Sequence, residues 1–128
     1  MRSAAVFIGG ALGTLARWAV ALAVPAGASF PLATLIVNVS GAFGLGLAGV
    51  LLAERLPPRP GLRSFAAMGF FGAYTTFSTM AMEGVRLIES GRLLAAALYW
   101  VLTLVLGQMA GVYGMWAGRI ERPKREEA

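Results

Sequence analysis

The chain contains no cysteine and no histidine, and only 13% of its 128 residues are charged. Without cysteine it has no disulfide and no thiol nucleophile, and without histidine it lacks the usual imidazole base and zinc ligand. A soluble domain carries about 25% charged residues, so the shortage of charge predicts a membrane protein. The net charge of +5 does not indicate a nucleic-acid partner, because the basic residues lie at the ends of apolar runs and in the tail.

The chain is dominated by four long apolar runs. Hydrophobic residues make up 58% of it, and the mean hydropathy is +0.72. The runs cover residues 4–24, 32–53, 65–88 and 93–117, each long enough to cross ~30 Å of hydrocarbon as a helix of about 20 residues. Residues 25–31, 54–64 and 89–92 are predicted loops, and residues 119–128 form a polar tail. The sequence therefore predicts one all-α transmembrane domain of four helices over residues 1–128.

The distribution of basic residues predicts how these helices are oriented. Four spans place both termini and the second loop on one side of the membrane. That side holds Arg2, Arg55, Arg59, Arg63, Arg119, Arg122, Lys124 and Arg125. The opposite side holds Arg92, with Arg86 near it. The positive-inside rule places the more basic side in the cytoplasm, so we expect a multi-pass protein of the cell or inner membrane.

The third apolar run contains a segment that is poor helix material. Residues 69–80 combine glycines with the adjacent β-branched Thr75 and Thr76, which loosen a helical backbone. Non-helical backbone at membrane depth is tolerated only where it is buried in protein or lines a wet cavity. Such breaks present carbonyls, hydroxyls and helix ends to ions. We therefore expect the third helix to be broken near its middle, at an ion site.

Three polar side chains lie inside the predicted spans, and each has two interpretations. Arg17 either snorkels to the interface beside Trp18 or lines a vestibule that attracts anions. Asn38 either joins two helices or points its amide N–H at a passing anion. Glu83 either forms an ordinary surface ion pair near the interface or lies on the ion path, where it would repel anions unless it is neutralised; Arg86 at i+3 is the obvious local partner.

Aromatic and small residues complete the pattern. Phe77 and Met80 are three residues apart and are predicted to share a helix face, where the positive ring edge of Phe77 suits an anion. The fourth run has a glycine stripe at 107, 111, 114 and 118, which favours close helix packing, and the first run repeats small residues at 9, 10 and 13. Tyr99 and Thr103 extend the stripe and predict a polar track facing a pore. The small-residue faces and the broken third helix need a partner, and a bundle of four helices has no room for a pore, so we expect a dimer about a two-fold axis.

Three ordered motifs resemble the CrcB/Fluc family of fluoride channels over essentially the whole chain. They are GGALGTLAR at 9–17, TLIVNVSGAF at 34–43 and GAYTTFST at 72–79. The resemblance implies an antiparallel, dual-topology homodimer with two fluoride pores that export the ion passively. It implies an ion pathway of Arg17, Asn38, Thr76, Phe77, Thr79, Met80, Glu83, Tyr99 and Thr103. It also implies a structural sodium ion held by the backbone carbonyls of Gly72 and Thr75 from both subunits.

Two features depart from that family pattern. The family commonly has a second phenylalanine where this chain has Met80, which is polarizable but has no ring edge. The lopsided arginine distribution also fits poorly with insertion in both orientations, so a heterodimer with an inverted homologue is an alternative to the homodimer.

Three other functions fit these residues less well. A small dimeric drug/proton antiporter shares the size, but it needs a titratable acid in the first helix, where this chain has Arg17. A membrane scaffold would leave the threonine-rich break unexplained. An intramembrane enzyme is disfavoured because histidine, cysteine and an acid pair are lacking.

Overall fold

The computed structural model describes residues 2–25 and 30–120, and across these ranges the regular structure is helical, without a strand. Its α-helices are α1 (Arg2–Ala23), α2 (Leu32–Val50), α3 (Pro60–Arg63), α4 (Gly72–Tyr74), α5 (Phe77–Glu89) and α6 (Leu93–Ile120). Two π-helical stretches, Leu51–Arg55 and Ser64–Phe71, continue α2 and join α3 to α4. The predicted loop residues 26–29 and tail residues 121–128 lie outside the described residues.

Three of the described helices are long and apolar enough to cross a membrane: Arg2–Ala23, Leu32–Glu54 and Leu93–Ile120. The third helical stretch in chain order, from residue 60 to residue 89, is interrupted at Thr75 and Thr76, so its pieces are individually shorter. Most large apolar side chains of the long helices point outward, Phe7 being 77% exposed and Leu94 74% exposed. An apolar outer surface is what a bilayer requires of a spanning bundle.

The helices alternate in direction. The start of α1, the end of α2 and the start of α3 surround one cavity at one end of the bundle. Arg119, near the end of α6, forms an ion pair with Glu54 at 3.5 Å at that same end. The end of α1 and the starts of α2 and α6 meet at the opposite end. The basic residues that the positive-inside rule grouped together therefore lie at one end of the molecule where the structure describes their side chains.

Glycines allow the helices to pack closely within one protomer. α6 packs along α2, and α1 packs along residues 64–74. A Cβ atom at Gly114 would collide with the Phe43 carbonyl, and one at Gly9 would collide with the Phe65 carbonyl. The prediction that the small-residue faces need a second copy is therefore wrong for these positions, because other helices of the same protomer cover them. Gly10 and Gly107, by contrast, have no neighbouring atom within 4 Å of an added Cβ.

The second loop is shorter than predicted. Helical structure continues to Arg55 and resumes at Pro60, so the loop is residues 56–59 rather than 54–64. Proline suits the first turn of a helix because its φ is already helical and its missing N–H would have no helical partner there. Pro57 and Pro58 thus lie within the loop, and Pro60 starts the next helix.

Candidate ion site

The interruption of the third helical stretch is two residues long. Thr75 has φ −75° and ψ 157°, and Thr76 has φ −149° and ψ 116°, so both are extended. Helix α5 begins immediately afterwards, at Phe77. Thr76 caps it, because its Oγ1 accepts a hydrogen bond from the Thr79 N–H at 3.1 Å. The threonines both favour extended backbone and supply the cap that restarts the helix.

The side chain of Asn38, on α2, holds this break in place. Its Nδ2 donates to the Thr76 carbonyl at 3.1 Å, and its Oδ1 accepts from the Thr76 N–H at 2.8 Å. Thr76 is only 8% exposed, so both backbone groups would otherwise be buried without a partner. Of the two interpretations of Asn38, the structure shows the contact between helices. One hydrogen of Nδ2 is used in that contact, and the second is available to another acceptor.

Two carbonyls lose their helical donors as a result. In a continuous helix the Thr76 N–H would donate to the Gly72 carbonyl and the Thr79 N–H to the Thr75 carbonyl. Here those two N–H groups donate to Asn38 Oδ1 and to Thr76 Oγ1 instead. The two released oxygens are hard ligands of the kind that hard metal cations bind. Their chemistry fits the predicted sodium ligands.

Four of the predicted pathway residues line one cavity of about 380 Å³ beside the break: Arg17, Thr76, Thr79 and Glu83. Two further threonines, Thr14 and Thr34, line it as well. Both lie within the motifs at 9–17 and 34–43, although the sequence pattern did not predict them as site residues. A hydroxyl on the same helix face as Arg17 or Asn38 was the signal that could have identified them.

Glu83 is bound by neutral donors rather than by an arginine. Thr34 Oγ1 donates to Oε1 at 3.0 Å, and the Tyr99 hydroxyl donates to Oε2 at 2.7 Å. The predicted partner Arg86 makes no ion pair with Glu83 among the described residues, so that prediction is wrong. The reason is that α2 and α6 bring closer donors to the carboxylate than its own helix does.

Phe77 and Met80 have different surroundings. Phe77 is 75% exposed on the outside of the protomer, whereas Met80 is 5% exposed. Met80 belongs to a small core between α5 and α6 with Leu87, Ala96 and Tyr99. The two side chains, three residues apart on α5, therefore have different surroundings within one protomer, and their shared face stays a prediction. The first residue of α5 projects outward, and the fourth projects toward α6.

Tyr99 and Thr103 are buried, at 0% and 5% exposure, and their hydroxyl hydrogens are already used. Tyr99 donates to Glu83, and Thr103 Oγ1 donates to the Tyr99 carbonyl at 2.7 Å. Neither side chain lines the cavity of Arg17 and Thr79. In this protomer Tyr99 positions Glu83, and Thr103 satisfies the backbone of its own helix.

Comparison with known proteins gives a consistent result. The model of the family described as CrcB-like protein, Camphor Resistance (CrcB), matches residues 4–115. A Hydrogenobaculum protein named fluoride-specific ion channel FluC is 38% identical over 92% of this chain and 98% of its own length. A Geobacillus kaustophilus protein named fluoride-specific ion channel FluC 2 is 41% identical over 96% of this chain and 95% of its own. A Mycobacterium bovis protein named fluoride-specific ion channel FluC 1 is 48% identical over 84% and 82%.

Proposed function

This chain belongs to the CrcB-like protein family, and from that membership and the geometry of the interrupted helix we propose that it is a fluoride-selective channel. The observation that carries the proposal is the pair of hydrogen bonds between Asn38 and Thr76, one donated and one accepted by Asn38, which holds a break open beside the cavity of Arg17. A small anion needs N–H and O–H donors in place of its water. The residues around the break supply them.

The available donors converge on the cavity. Thr79 Oγ1 accepts from Thr76 Oγ1 at 2.9 Å, so the hydrogen of Thr79 is directed elsewhere. Arg17 contributes a guanidinium group that no acid within 4 Å neutralises among the described residues. Glu83 is already satisfied by two hydroxyl donors, which lowers its tendency to repel an anion. The N-terminus of α5, which is the positive end of its helix dipole, also lies beside Thr76.

A second copy of the chain completes the proposed channel. The ring of Phe77 lies outside the protomer, where a neighbouring subunit could bring an ion against its edge. The released carbonyls of Gly72 and Thr75 are two ligands, whereas a hard cation takes about six oxygens. A pair of breaks meeting on a two-fold axis would double the number of ligands, and the bound sodium would lock the two subunits together. We therefore propose the antiparallel homodimer, with Met80 and Tyr99 packed behind the ion path.

Transport requires no energy source beyond the membrane potential. Hydrogen fluoride crosses a bilayer uncharged and ionises in a near-neutral cytoplasm, where the anion is trapped. An inside-negative potential drives the anion outward with ~2.3 kcal/mol per 100 mV. A selective passive pore is therefore sufficient to export fluoride.

The direct test is efflux from liposomes that contain only the purified protein. A fluoride electrode should record release that depends on protein and on a potassium-selective ionophore, which balances the charge. Chloride release from the same vesicles should remain at the level of protein-free vesicles. Proton-coupled uptake of a lipophilic cation, without fluoride release, would instead support the antiporter alternative and overturn the channel.

A further inference from the structure

A second cavity, of about 520 Å³, lies at the basic end of the bundle, away from the interrupted helix. It is formed where α1 begins, where the α2 span ends and where α3 begins. Two of these helices are candidate membrane spans, so the cavity lies at the depth where lipid headgroups meet the hydrocarbon. None of the ion-site residues lines it.

The polar part of this cavity is strongly cationic. Arg2, Arg59 and Arg63 line it, and the described residues that line it include no acid. Within the described part of the chain, none of the three forms an ion pair, whereas Arg119 at the same end pairs with Glu54. Three like charges around one space repel each other, and a bound anion would relieve that repulsion. Guanidinium groups bind phosphate oxygens in a bidentate manner, which makes phosphate the anion that they suit best.

The remaining wall is apolar and continues away from the arginines. Leu52 lies near the end of the α2 span, and Leu56 lies just after it, in the loop. Met68, which is 70% exposed, lies in the helical stretch that follows Arg63. A soluble phosphate would leave this surface uncovered, whereas an acyl chain would cover it. We propose that the cavity binds an anionic phospholipid, with its phosphate on the three arginines and an acyl chain against the leucines and Met68. The proposal does not depend on fluoride conduction.

Lipid competition on the unmodified protein provides the first test. The full chain is purified in a neutral detergent, and retained lipid is counted by native mass spectrometry after adding phosphatidylglycerol or phosphatidylcholine of identical chain length. We expect phosphatidylglycerol to bind at least about tenfold more tightly, because each basic residue near an anionic headgroup contributes ~1 kcal/mol. Equal binding would overturn the proposal in favour of an apolar groove. Glycerol phosphate has no acyl chain. If it displaced bound phosphatidylglycerol as effectively as added phosphatidylglycerol does, the proposal would be overturned in favour of a free phosphate site.

Charge-matched variants provide the second test. Replacing Arg2, Arg59 and Arg63 together by glutamine should remove the preference for phosphatidylglycerol, and replacing them by lysine should keep part of it. The control replaces Arg122, Lys124 and Arg125 by glutamine, which removes the same charge from the tail. It should leave the preference within about twofold, because salt screens an attraction that depends only on net charge. An equal loss of the phosphatidylglycerol preference in the two glutamine variants would show diffuse attraction and refute the site. Unchanged helical circular dichroism verifies that both variants are folded.

Discussion

Replacing Asn38 by alanine should be among the most destabilising single changes in this protein. The substitution removes both hydrogen bonds to Thr76, at 2.8 and 3.1 Å, and leaves its N–H and its carbonyl without their partner. Thr76 is 8% exposed, so water replaces that partner poorly. A buried polar group left unsatisfied costs about 1–3 kcal/mol, so the pair predicts a loss of roughly 2–6 kcal/mol of unfolding free energy.

The assay is reversible unfolding of purified protein in micelles, combined with amide hydrogen exchange at Thr76. Ser40→Ala is the matched control, because Ser40 is an exposed polar residue on the same helix whose hydroxyl bonds the Ile36 carbonyl and the Tyr74 hydroxyl but not the backbone of Thr76. It should change the unfolding free energy by less than about 1 kcal/mol. The account of the break is refuted if Asn38→Ala is no worse than Ser40→Ala and the Thr76 amide exchanges no faster.

Three other perturbations separate packing from function. Phe77→Ile should abolish fluoride efflux with little loss of stability. Phe7→Ile, which changes an equally exposed phenylalanine, should retain fluoride efflux. Equal efflux from the two variants would show that the Phe77 ring only packs. Gly114→Ala should lower the unfolding free energy by about 1–3 kcal/mol, because the new methyl group would collide with α2. Gly107→Ala should not lower it, because the new methyl group would point into open space. An equal response of the two variants would contradict the contact of Gly114 with α2. The melting temperature should be higher in sodium chloride than in the chloride of a large organic cation, and identical values would argue against a structural sodium ion.

The sequence predicted well those features that depend on local residues. The four apolar runs anticipated the helices, and the motifs at 9–17, 34–43 and 72–79 identified the family. The adjacent β-branched Thr75 and Thr76 indicated a weak point in the third run, and the structure has extended backbone at these two residues. Each of these signals is contained in a short window, where propensity and periodicity operate.

The contacts that build the site were not predictable in the same way. Asn38 and Thr76 are 38 positions apart, and Glu83 is bound by side chains 49 and 16 positions away. The i+3 spacing favoured Arg86 because local rules see only the residue's own helix. The glycine stripes predicted close approach correctly, but they did not say whether the approaching helix belongs to the same chain. Tertiary packing decided each of these.

The measurement that tests the central claim most directly is fluoride efflux by Asn38→Asp. The aspartate keeps an acceptor for the Thr76 N–H but places an oxygen, in place of the Nδ2 donor, against the Thr76 carbonyl, so circular dichroism must first verify that the variant is folded. In the folded variant a donor beside the ion path has become a negative charge. We predict that the initial efflux rate falls at least tenfold, about 1.4 kcal/mol or more, while Ser40→Ala stays near the wild-type rate. Wild-type efflux from folded Asn38→Asp protein would contradict the claim that the break held by Asn38 is the path of the ion.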